Sequence, residues 1–171
     1  MRRYIIATSL SVIALGALSA CASTQTLPPV DDATAARVAE SHFPEPFANA
    51  YLGMPLAKWR ASRADVAMPG ADGAFDFRIS VTEKAPAPNV AEATWYFAAK
   101  VEGQPLYEVI VDYGDHADAL KRAVDALGPP NAPDGEWRYA TSGDHTVKVW
   151  TFGTKIVVAA NMKGSEWESE W

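Results

Sequence analysis

Phe75, Phe77, Ile79 and Val81 alternate with Asp76, Arg78, Ser80 and Thr82, the two-residue period of a strand with one buried face. A Pro-rich loop over 84–89 follows. Two further apolar segments, 94–101 (TWYFAAKV) and 106–113 (LYEVIVDY), flank Glu102-Gly103-Gln104-Pro105 and predict an antiparallel hairpin. Three more strands are expected at 136–141, 146–152 and 155–161. Ser142-Gly143-Asp144-His145 makes the first of their turns, and Gly153-Thr154, with glycine leading, suits a type II′ turn for the second.

Between these two groups the period lengthens. Ala117, Leu120, Ala123, Val124 and Leu127 form a single apolar stripe on a helix running from Asp115 to Leu127. Asp115 can cap its start, and Gly128-Pro129-Pro130 ends it. Shorter helices are predicted at 33–42, behind Asp31-Asp32 and stopped by Phe43-Pro44, and from Pro55 to about Arg63, where Leu56 and Trp59 pair. Hairpins without βαβ alternation define the class as α+β. The expectation is an antiparallel sheet of about six strands, in two three-stranded groups, with helices packed on one face. Val147 and Val149 face one way and Trp150 and Phe152 the other, while Tyr107, Val109 and Val111 oppose Leu106 and Ile110. The second face is therefore apolar in places. It is either covered by the Pro-rich loop, the long connections or sheet curvature, or it holds a groove or a partner.

The N-terminus carries a different pattern. Arg2 and Arg3 precede an apolar run from Tyr4 to Leu18 that ends in small residues, which is the layout of a secretory signal. The run is shorter than the ~20 residues a spanning helix needs. Leu18-Ser19-Ala20-Cys21 resembles the lipobox of bacterial lipoproteins. The resemblance implies cleavage after Ala20, diacylglyceryl attachment to the Cys21 thiol, acylation of the new N-terminus, and a bilayer as first partner. Ala22 and Ser23 follow where inner-membrane lipoproteins carry Asp, so the resemblance implies the outer membrane, facing the periplasm. The chain then divides into a signal peptide (1–20), the lipidated cysteine with a Pro-bearing tether (21–32), one globular domain (33–163) and an acidic, aromatic tail (164–171) that is expected to fray.

Cysteine 21 is the sole cysteine, so no disulfide or thiolate metal site remains for the domain. Formal net charge is −6, and loss of Arg2 and Arg3 makes the mature form more acidic; nucleic acid is excluded as a partner. There is no Gly-x-Ser-x-Gly elbow. Ser142, Asp144 and His145 cluster around Gly143, but in a tight turn these residues serve turn chemistry. Asp112, Asp115, His116 and Asp118 gather at a strand-to-helix junction and are candidate ligands for a hard cation or zinc. They equally suit a helix start, with Asp115 as cap and Asp118 at the positive end; that reading is adopted, and no metal or other cofactor is expected.

Six Trp is a high count for one small domain. Trp95, Trp137 and Trp150 fall in strands and Trp59 in a helix, whereas Trp167 and Trp171 in the tail are candidates for interaction with a partner. Tyr51-Leu52-Gly53-Met54-Pro55-Leu56-Ala57-Lys58-Trp59 resembles the Gly-Met helix start of SmpA/OmlA-like lipoproteins. Leu127-Gly128-Pro129-Pro130 is similar to turns in that group and in β-lactamase-inhibitor-like domains. These are small α+β domains that bind proteins, although they place two helices directly before one sheet, without the three strands found here between the second and third helices. The functional expectation is a non-catalytic module that binds an envelope protein or component. The alternatives are a periplasmic hydrolase or metal-dependent enzyme using His116 with Asp112 or Asp115, and small-ligand capture in a groove.

Overall fold

The computed structural model describes residues 50–69, 75–114, 118–140 and 145–171. The signal segment with Cys21, the tether, the predicted helix 33–42 and residues Asp115, His116, Ala117, Ser142, Gly143 and Asp144 lie outside the described residues. Six strands form one antiparallel sheet: β1 (Arg78–Ala87), β2 (Val90–Ala98), β3 (Leu106–Asp112), β4 (Trp137–Ala140), β5 (Thr146–Phe152) and β6 (Lys155–Ala160), in the order β1-β2-β3-β6-β5-β4. The two expected three-stranded groups are present, and the β3–β6 pair, with Val109 opposite Val158, welds them together. Among the described residues two short helices, α1 (Leu56–Ala61) and α2 (Ala119–Leu127), join this sheet in an α+β fold. Among the described residues no helix is long and apolar enough to cross a membrane.

The main core lies on the helix-bearing face. Val81, Trp95, Phe97, Val109, Val111, Val147, Val149, Ile156 and Val158 alternate inward along their strands and meet Trp59 of α1 and Ala119 and Ala123 of α2. Trp59 stands tilted against Trp95 and edge-on to Phe97, with centroids 5.5 and 5.4 Å away. Two alanines on the buried side of α2 leave room for it to sit close to the sheet. Asp118, and not Asp115, occupies the position just before its first residue: its side chain accepts from the Lys121 backbone N–H at 2.9 Å. Leu120, expected in the apolar stripe, is 49% exposed, because Ala119 takes the inward position.

The expected strand over 75–82 is shifted. Phe75 and Phe77 precede β1 and are exposed, and the strand runs on through Lys84–Ala87, where a Pro-rich loop was expected. Pro86 is tolerated because β1 is a sheet edge and its ladder is interrupted between Lys84 and Ala87, where Ala85 takes φ +45°. The true connection is the two-residue turn Pro88-Asn89, with Asn89 at φ +62°, the proline-then-asparagine order of a type II turn. Accordingly β2 begins at Val90 and ends at Ala98, where the hairpin expectation gave 94–101. Gly153, at φ +58°, leads the Gly153-Thr154 turn as expected.

A polar triad closes the helix face beside β1. Arg63, from the turn after α1, lies 4.6 Å over the Trp95 ring and 3.4 Å from Glu83, and the Trp95 indole N–H also donates to Glu83. Burial lowers the Arg63 pKa, with Glu83 opposing the shift.

Candidate functional site

The second face of the sheet holds the feature that sequence reasoning misplaced. The tail does not fray. Residues Gly164 to Trp171 fold into successive turns and pack across this face, so among the described residues the tail is a covering element that the sequence reading did not name. The local reason is a capping-box pattern, Ser165-Glu166-Trp167-Glu168. The Ser165 hydroxyl accepts from the Trp167 N–H at 3.3 Å, and the Glu168 carboxylate accepts from the Gly164 N–H at 2.8 Å. Gly164, at φ +77°, passes so close to Val101 that a Cβ would stand 2.4 Å from its Cγ2.

A bulge prepares the sheet for the tail. Tyr96 faces Glu108, but the next partner pair is Phe97 with Leu106, which leaves Tyr107 as the extra residue. Two successive side chains, Tyr107 and Glu108, therefore point to the second face. Glu108 is only 4% exposed. Its carboxylate accepts a hydrogen bond from the Trp167 indole N–H at 3.0 Å. The neighbouring tail residue, Glu166, takes the Arg78 guanidinium at 2.9 Å and the Tyr107 hydroxyl at 3.3 Å. Arg78 itself is enclosed by the rings of Phe75, Phe77 and Tyr96, at 4.6, 5.6 and 5.0 Å.

Toward the other end of the face the tail makes an aromatic cluster. Trp150, Trp167 and Trp171 contact one another with centroids 5.1 to 6.3 Å apart. Lys148 lies 5.2 Å over Trp150 and 5.0 Å over Trp171, and is paired with Glu136 at 2.9 Å. The Asn161 side chain donates to the Trp171 carbonyl at 2.9 Å and accepts from the Thr146 N–H at 2.5 Å. Trp167 and Trp171, the two interaction candidates, are thus half-buried in a contact within the chain.

Electrostatics follow from this burial. The Glu108 pKa is pushed up to about 8, first by loss of solvent; the Trp167 hydrogen bond opposes the rise, hydrogen bonding and charge from Glu166 add to it, and Arg78 opposes it. Near neutral pH, Glu108 therefore keeps its proton beneath the tail. Burial also raises the pKa of Tyr107 and Tyr96. With Glu108 covered by Trp167, this acid pair fastens a segment and is closed to a substrate while the tail is seated.

Of the four candidate ligands at the strand-to-helix junction, Asp112 and Asp118 are among the described residues, and each accepts from a backbone N–H. Asp112 Oδ1 accepts from Thr154 at 2.7 Å and from the Gly114 N–H at 2.9 Å, and Lys155 stands 3.6 Å from Oδ2. Burial alone would raise Asp112, but these donors and the lysine outweigh it and hold its pKa below the usual range. Asp118 caps α2. Among the described residues, no group of three His, Cys, Asp or Glu side chains is placed to hold a metal ion. Beside this junction an open hollow of about 460 Å³ lies between the β1–β2 turn and Tyr113-Gly114, lined by Ala85, Ala87, Asn89, Val90 and Ala91.

Comparison with family models, curated proteins and solved structures finds no match to this chain.

Proposed function

We propose that this protein is a lipid-anchored lipoprotein of the bacterial envelope whose sheet domain binds a protein or envelope component without catalysing a reaction. The observation that carries the reading is the second sheet face: aromatic, partly solvent-facing, and rimmed by Phe75 at 57% and Phe152 at 73% exposure. Large exposed aromatics around a folded patch are the usual composition of a protein-binding surface. Its tightest polar cluster is occupied by the chain's own tail, which suits recognition better than turnover. Anchoring through Cys21, as the Leu18-Ser19-Ala20-Cys21 motif implies, would hold this face close to envelope partners and raise their effective concentration.

Two measurements test the reading. Metabolic labelling with palmitate should mark the wild-type chain and lose the label in Cys21→Ser; label-free wild-type protein would refute the anchor. In-cell crosslinking followed by purification from native membranes should recover one near-stoichiometric envelope partner, reduced in Phe75→Ser/Phe152→Ser. Recovery of the protein alone would refute the binding module.

A further inference from the structure

The tail is attached to the sheet through side chains. Among the described residues, its backbone-to-backbone hydrogen bonds stay within its own turns, from Ser165 to Met162, Glu168 to Ser165 and Glu170 to Trp167, and none joins a strand ladder. Asn161 holds the Trp171 carbonyl, the Thr146 carbonyl takes the Trp171 indole N–H, and the remaining hold comes chiefly from side chains at three separate stations. Arg78 on β1 takes the Glu166 carboxylate, Glu108 on β3 takes the Trp167 indole N–H, and Lys148 on β5 takes the Trp171 ring face. Lifting the tail therefore breaks no sheet pairing. It uncovers Glu108 and Tyr107, both otherwise buried and both bonded to the tail.

The three stations also define what fits them. A carboxylate alone would satisfy Arg78 and leave the indole acceptor empty; an apolar ring alone would cover Trp150 and leave the half-buried Arg78, set among three aromatic rings, without its anion. The complementary segment is a tryptophan flanked by acidic residues.

We propose that this face is the protein's docking surface and that its partner presents an acidic, tryptophan-bearing segment of the tail's own chemistry, which displaces the tail. The inference rests on the binding-module reading and names the partner class for it. A tail tethered at Gly164 competes at an effective concentration on the order of millimolar, so a partner gains access only where it is itself concentrated, as at a membrane.

The test is fluorescence anisotropy of a labelled peptide KGSEWESEW, residues 163–171, against the full-length protein in detergent micelles. Trp167→Ala, which loosens the resident tail, should bind the peptide at least tenfold tighter than wild type. Trp171→Ala, which frees the tail's end but leaves Glu108 covered, should give a smaller gain in the same direction. Adding Arg78→Glu to Trp167→Ala should abolish binding. The proposal is overturned if neither opened variant, with wild-type far-ultraviolet circular dichroism, binds better than wild type, or if Arg78→Glu leaves binding intact. It is also overturned if the protein dimerises by exchanging tails, because the occupant would then be a second copy. Peptide failure together with a crosslinked envelope partner would remove this inference alone; loss of the crosslinked partner as well would remove the binding module with it.

Discussion

The Trp167 indole donates a 3.0 Å hydrogen bond to the Glu108 carboxylate across 59 residues of chain, and with that bond a solvent-seeking acid becomes part of a second, smaller core. Glu108 sits opposite Tyr96 and Ala159 in the ladder, so the acid lies mid-sheet, where water reaches it only if the tail departs.

This placement fixes a pH dependence. The folded-state pKa of Glu108 lies above its ordinary 4.5, at about 8. Between those values the folded chain holds a proton that the unfolded chain has released, so stability falls as pH rises through this window and is level on either side. Urea unfolding at a series of pH values should show the decline, with a slope of up to about 1.4 kcal/mol per pH unit. Glu108→Gln, which can still accept from Trp167, should flatten it and be the more stable protein at pH 9; an unchanged slope would show that another group titrates.

Gly164→Ala should loosen the tail. The substitution meets both the left-handed backbone, at φ +77°, and the Val101 side chain at 2.4 Å. A cost of about 1–3 kcal/mol is expected from backbone strain of this kind. Trp fluorescence should shift to the red as Trp167 and Trp171 gain solvent, while far-ultraviolet circular dichroism of the sheet is retained.

Glu83→Ala should be more damaging than its edge-strand position suggests. It would strip the carboxylate from Arg63, whose side chain is only 10% exposed, and from the Trp95 indole. Orphaning a buried charge in this way costs about 3 kcal/mol or more. Arg63→Met in the same background should restore part of the loss, measured as the midpoint of thermal unfolding; no restoration would place the damage elsewhere.

Asp118→Ala should cost about 1 kcal/mol by removing the cap on the Lys121 N–H, whereas Asp118→Ser should be nearly neutral. Equal losses in the two variants, by denaturant unfolding, would show that charge and not capping is what matters there.

Much of the architecture was readable in the chain because it depends on local signals. Two-residue alternation marks β5, a short apolar run marks β6, and Gly153 announces their turn. What escaped were features set by neighbours. Phe75 and Phe77 keep the strand period yet lie outside the strand, because they serve Arg78 and not the core. Pro86 and Pro88 spoke for a loop, but an edge strand needs no donor on its open side. Glu108 fell within an apolar strand, and nothing in LYEVIVD announces the bulge that turns Tyr107 to the same side. In the tail, alternating Glu and Trp looked like solubility for exposed rings; the Ser165-to-Glu168 capping pattern was the available sign of order, and the sheet residues it meets are distant in sequence.

The edges of the sheet carry one more consequence. A flat sheet with open margins invites its neighbours to add strands, and crowded copies would then grow into ribbons. Here one margin is β1, broken by the kink at Ala85 and the missing donor of Pro86, and the other is β4, only four residues long. β4 is too short to be a template, and β1 offers only the stretch from Arg78 to Lys84 before its kink. Growth from edge to edge is thereby discouraged at both margins, so the molecule can sit densely among its own kind and keep its broad face for other molecules.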